Sequence, residues 1–156
     1  MDEARRTELV EQYRAGYQMI VDALDGITEA GLDAREADGE WSPREVVHHL
    51  ADSEMASALR LRMLLASDQP EIVGYDQDAY AQILFYDRPI EPSLQAFRYA
   101  RESTCQILDR MTPEQWQRAG THSESGRYTL SGWLEIYAEH AVEHADQIRR
   151  ARATLQ

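Results

Sequence analysis

Two histidines, His140 and His144, stand four residues apart in the run Tyr137-Ala-Glu-His140-Ala-Val-Glu-His144-Ala-Asp-Gln147-Ile148. In a helix that spacing projects both imidazoles from one face, within reach of a single metal ion. Leu130, Trp133, Tyr137, Ala141 and Ile148 recur around them at helical intervals, so the histidines fall on the apolar stripe and point inward. Glu143 directly precedes the second histidine, whereas the zinc-peptidase motif His-Glu-x-x-His sets its general base directly after the first. A catalytic zinc usually has three protein ligands, and the remaining histidines are His48, His49 and His122. His48 and His49 diverge by about 100° on a helix, so only one of them can face a given point. Periodicity leans towards His48, nearer the Met55 edge of its stripe, without deciding between them. Glu54 lies near the centre of that stripe and needs either an arginine partner or a polar pocket.

The elements that must position these residues are helical. Apolar residues from Leu9 to Leu24 recur at three and four residues, which predicts a first helix from Asp2 to about Ile27. Thr28 to Glu40 reads as a connector with a turn or short helix. Ser42-Pro43-Arg44-Glu45 has a capping residue, a proline suited to the first turn and a capping-box glutamate, so a second helix runs from Pro43 to about Ala66. Asp68 to Pro92 is a long connection with a short helix from Asp76 to Leu84. Its Tyr75, Tyr80 and Tyr86 either line a pocket or fasten the connection to the bundle. A third helix takes Ser93 to Met111, with Ser93 as its cap. Thr112-Pro113 starts a single turn, the segment from His122 to Tyr128 reads as a turn, and Thr129 opens a fourth helix to about Leu155. The expected fold is all-α: an antiparallel four-helix bundle with a long connection between helices two and three, forming one domain over residues 1–156.

Composition narrows the function. A formal net charge of -12, with arginines scattered among acids, argues against a nucleic-acid partner. No apolar run approaches the roughly 20 residues of a membrane span, and the charged N-terminus lacks a secretory signal, so no membrane association and a cytoplasmic location are expected. The single cysteine, Cys105, excludes an intrachain disulfide and a cysteine-rich zinc site; its place in a helical pattern suits a packed thiol.

Three segments in order, Trp41-Ser-Pro-Arg-Glu-Val-Val-His48-His49-Leu50-Ala51-Asp52-Ser53-Glu54, His122-Ser-Glu-Ser-Gly126 and Tyr137 to Ile148, resemble the DinB-like superfamily. The nearest branch is that of the YfiT-like metal-dependent hydrolases, related to the bacillithiol transferases. The resemblance implies a divalent metal, nickel or zinc, held by His49, His140 and His144, with His48 left to packing or to a supporting hydrogen bond. Ser123 stands where that family often has proline, so His122 is carried over as no more than an outer ligand. The resemblance also implies a homodimer as the expected assembly.

Three neutral imidazoles leave a bound cation its full charge, so it would acidify a bound thiol or water and polarise an electrophile. With a low-molecular-weight thiol as cofactor the reaction is S-transfer to a small electrophilic substrate; with water it is hydrolysis of a small amide or ester. A non-catalytic metal- or ligand-binding stress-response bundle is the reading from another class, and a metal-free core with an apolar pocket a further one. Asp52 and Gln147, each about one turn after a candidate ligand, are placed to orient an imidazole. Glu54, Glu135, Glu139 and Glu143 are equivalent candidates for a general base.

Overall fold

The computed structural model describes residues 1–155. Helix α1 spans Glu3–Leu24, starting at Asp2, whose carboxylate accepts the Arg5 amide hydrogen, and ending two residues before Gly26 at φ 65°. A short α2, Glu29–Leu32, is capped by Thr28. Helix α3 covers Pro43–Ala66 behind a complete capping box: the Ser42 hydroxyl accepts from the Glu45 amide, and the Glu45 carboxylate accepts from the Ser42 amide. Asp76 caps α4, Gln77–Ile83. Helices α5, Glu91–Leu108, and α6, Leu130–Ala153, complete the set, and the Thr129 hydroxyl accepts the Gly132 amide hydrogen at the head of α6. The turn expected after Thr112-Pro113 is a single 3-10 turn, Gln115–Gln117. Among the described residues no helix is long and apolar enough to cross a membrane.

Two readings are corrected. Ser93 is no cap: α5 begins at Glu91 after Ile90, with Pro92 in its first turn and no side-chain cap, and Ser93 is buried inside it. The segment from His122 to Tyr128 is a β-hairpin. Strands β2, Ala119–His122, and β3, Gly126–Thr129, pair antiparallel, with Gly126 at φ 76°, and β1, Glu71–Ile72, adds in parallel on β2. The bundle thus carries a three-stranded cap at one end.

The four long helices form the expected bundle, two running each way. Gln12 Nε2 donates to Ala138 O, and Arg152 to Ala23 O, so α1 and α6 run in the same direction. His48 meets Ser93 and Arg62 meets Ser103, so α3 and α5 also share a direction. Trp133 Nε1 donates to Ser57 O while His49 meets His140, which sets α3 against α6. The order is up, down, down, up. Two consecutive down helices need a chain that returns the length of the bundle, which is the task of the connection holding β1 and α4.

Two apolar clusters fill the interior, one around Tyr13, Leu61, Trp133 and Leu134, the other around Ile20, Val46, Phe97 and Ile148. Between them lies a charged pair. Glu54 and Arg101, each 1% exposed, meet at 2.7 Å, and the Tyr13 hydroxyl donates to the other Glu54 oxygen. The Arg101 guanidinium also donates to Tyr13 O (2.6 Å) and Tyr137 O (2.7 Å), and covers the rings of Tyr13 and Phe97. Of the two readings of Glu54, the arginine partner is the one the structure has. A Cβ at Gly16 would stand 1.9 Å from Arg101 NH1 and 2.8 Å from the Ala141 Cβ, so this helical glycine makes room for the guanidinium.

Arg101→Met should cost about 3–5 kcal/mol in urea unfolding, because it leaves the Glu54 carboxylate buried without a counter-charge. The double variant Glu54→Leu/Arg101→Met should recover part of that loss.

Candidate metal centre

Helix α3 supplies His49, and α6 supplies His140 and His144. The Nε2 atoms of His49 and His140 are 3.1 Å apart, as are those of His144 and His140. The three form a potential metal-binding group whose donor atoms all lie within 4.8 Å of one another. His49 is 3% exposed; His140 and His144 are half-buried. Trp41, just before α3, closes over the group, with its ring 4.5 Å from that of His49 and stacked at 6.4 Å on that of His144.

His144 Nδ1 is 2.8 Å from the Gln147 side-chain oxygen, so the ring donates there and its Nε2 carries a lone pair towards the cluster. At most one hydrogen can then lie usefully among the three converging nitrogens, leaving two lone pairs facing one another. Two nitrogens about 2.0–2.1 Å from a common cation are separated by about 2.8–3.4 Å for angles from square to tetrahedral. The observed 3.1 Å spacings therefore fit a shared cation, which would take a lone pair from each of the three nitrogens once every ring carries its hydrogen on Nδ1. Burial first, then the neighbouring His144, pushes the His49 pKa down to about 3. Burial also lowers His140, with its two histidine neighbours adding to the effect, and lowers His144 against the Gln147 hydrogen bond. All three are thus neutral donors at neutral pH.

His48 points elsewhere. Its Nε2–H donates to Arg88 O (3.0 Å), and its Nδ1 accepts from the Ser93 hydroxyl (2.7 Å), so both ring nitrogens serve the contact with the crossing connection and α5. The slight preference of periodicity for His48 is not met: of the adjacent pair, His49 joins the cluster. His122 sits in β2, where its Nδ1 accepts from the Glu124 amide, and is outside the group. Gln147 orients an imidazole as expected, but Asp52 does not: its carboxylate accepts from the Tyr86 hydroxyl at 2.7 Å. Tyr86 therefore fastens the connection. The Tyr80 and Tyr75 rings meet at 4.7 Å, tilted by 37°, and Tyr75 lies under Arg60. Of the candidate bases, Glu54 is tied to Arg101, while Glu135, Glu139 and Glu143 face solvent. Cys105 is buried, and burial raises its pKa, so it is a packed thiol. Arg60 and Arg101 are the residues near the centre that sequence reasoning passed over; unpaired spacing among scattered arginines gives no signal for either.

A four-helix bundle holding three converging, neutral histidines between two of its helices defines the class of protein. The chain belongs to the DinB superfamily, whose sequence profile matches residues 12–148. A protein of Oceanobacillus iheyensis, provisionally named a metal-dependent hydrolase, is 34% identical over 131 residues, which cover 84% of this chain and 76% of that one. YfiT from Bacillus subtilis, described provisionally as a metal-dependent hydrolase with an unusual four-helix bundle topology, superposes with a TM-score of 0.93 at 25% identity, covering 99% of this chain and 90% of the other. A mycothiol-dependent maleylpyruvate isomerase shares the fold at a TM-score of 0.74 and 10% identity, over 92% of this chain and 60% of that one.

The lowered histidine pKa values give the metal-free protein an acid weakness. Because the folded state holds these protons more weakly than the unfolded chain, stability is full above about pH 6.5 and falls below it, towards about 3 for His49. The slope is at most about 1.4 kcal/mol per pH unit for each histidine. Urea midpoints of metal-free protein should drop between about pH 7 and about pH 5, and the drop should be smaller in His49→Leu.

Proposed function

We propose that this protein is a metal-dependent enzyme in which His49, His140 and His144 hold a divalent transition metal, nickel or zinc, and that it transfers a small-molecule thiol to a small electrophilic substrate. The convergence of three neutral Nε2 atoms carries the reading. When bound, the cation supplies a Lewis acid that lowers the pKa of a thiol or water and polarises an electrophile. The chain's residues do the rest. Gln147 holds the His144 tautomer, Trp41 shields the imidazoles from solvent, and the Arg101 contact with Tyr137 O fixes α6 one turn before His140. A group of three protein ligands leaves room for an exchangeable ligand, as catalytic sites do and closed structural sites do not. The mycothiol-dependent isomerase with the same fold makes a thiol the first ligand to test.

A second reading, hydrolysis of a small amide or ester, is favoured by the names of the relatives. The two separate on addition of thiol: transfer requires it and consumes it stoichiometrically, while hydrolysis proceeds without it.

Elemental analysis of protein made without a histidine tag should find one transition metal per chain, lost in His49→Ala and His144→Ala. The ion should remain in His48→Ala, which is expected to lose about 1–3 kcal/mol of stability through its severed Ser93 and Arg88 contacts. Absence of metal after loading with nickel and zinc would overturn the enzyme reading.

A further inference from the structure

Beside the histidines lies a group of hydrogen-bond donors with too few acceptors. Arg60 on α3 directs one N–H to the Tyr137 phenol oxygen (2.9 Å) and another to Val73 O (3.1 Å), and its guanidinium lies 5.8 Å from the Tyr75 ring centre. It forms none of the ion pairs among the described residues. Since Tyr137 accepts from Arg60, its own phenol hydrogen is free to point elsewhere. The Tyr128 phenol, in a residue 6% exposed, completes no well-formed hydrogen bond among the described residues, although the Tyr137 phenol and the Arg60 guanidinium lie beside it. Burial raises the pKa values of Tyr75 and Tyr128, and the neighbouring Tyr137 phenol adds to both shifts, so these groups stay protonated donors. Asp52, the acid that acts on Tyr75, is already engaged by Tyr86.

An unpaired guanidinium beside phenol donors is the inventory of an oxyanion site. It borders the histidine group through Tyr137, whose ring meets that of His140 edge-on at 6.1 Å. Arg60 also stands eleven residues after His49 on α3, which returns it to within about 20° of the same side of the helix. In a chain of net charge -12 a free arginine is a local reversal of sign, and it selects for an anion against the field of the whole protein.

We infer that Arg60, Tyr137 and Tyr128 form a subsite for a carboxylate carried by the thiol or the electrophile whose reacting atom reaches the histidine centre, an inference that rests on the enzyme reading above. The substrate class narrows to elongated anionic small molecules, since one tyrosine side chain separates the guanidinium from the His140 ring.

Two measurements test this. In metal-free protein, acetate is titrated while the Arg60 Nε–H and tyrosine ring signals are followed by NMR. A saturable shift is expected in wild type, absent in Arg60→Met and partly restored in Arg60→Lys; no saturable shift, or an unchanged one in Arg60→Met, overturns the site. In metal-loaded protein, a ladder of ω-mercapto carboxylates is compared by calorimetry with ω-mercapto alcohols of equal length. The best acid should bind about tenfold more tightly than its alcohol, the size of one charge-assisted hydrogen bond, and the preference should vanish in Arg60→Met with metal content unchanged. Acetate binding without any preference for the acids overturns the assignment to a substrate carboxylate. Failure of the metal reading shows separately, as no ion by elemental analysis, and leaves the acetate titration to decide the anion site alone.

Discussion

The Arg101 guanidinium is the interaction on which the rest of the structure depends, because it is bonded to all four long helices. It belongs to α5, pairs with Glu54 on α3, and donates to backbone carbonyls of α1 and α6. A buried ion pair is a poor source of net stability, since the desolvation of both charges offsets their attraction. Its effect here is registry. Five donors in a fixed plane meet two carbonyls and a carboxylate only when the helices stand at one depth relative to one another. The two helices so aligned, α3 and α6, are those that carry the histidines, and Gly16 admits the guanidinium by presenting no side chain.

The crossing connection is held by a second set of polar contacts. His48 bonds Arg88 O and Ser93, Asp52 bonds Tyr86, and Arg60 bonds Val73 O. All three anchors are on α3. Adjacent residues on a helix diverge by about 100°, so His48 and His49 divide the work: one secures the chain that makes the parallel pairing of α3 and α5 possible, and the other faces α6. Topology and site are thus set by neighbouring residues of the same type.

Much of this was legible in the sequence where a local cause acts locally. Ser42 with Pro43 and Glu45 marks the start of α3, and Thr129 that of α6, because capping hydrogen bonds involve residues three apart. The i,i+4 spacing of His140 and His144 carries their convergence. The choice between His48 and His49 was not legible from periodicity, because Val46 to Ala51 are buried without interruption and a helix covered on all sides has no phase to read. The resemblance to relatives pointed to His49 where the pattern fell silent. Strands of two to four residues are too short to show an alternation, so the hairpin read as a turn. Glu54 was visible as a buried acid, but its partner lies 47 residues away on a helix whose neighbours only the fold reveals.

Among the described residues, none of the acids weighed as a base stands free beside the histidines, which bears on the proposed chemistry. Hydrolysis of an amide or ester asks the protein for a group that accepts a proton and returns it to the leaving atom. Among the described residues Glu54 is neutralised by Arg101, Glu135, Glu139 and Glu143 lie in solvent, and the histidines are turned inward on one another. A thiol asks for less. Its ordinary pKa near 8.5 is within reach of a modest electrostatic shift, and as thiolate it attacks without a further base. Three neutral imidazoles do nothing to dilute the charge of a cation held between them, so the donor set itself favours the anionic form of whatever binds next. The proposed thiol transfer therefore asks less of the chain's own groups than hydrolysis would.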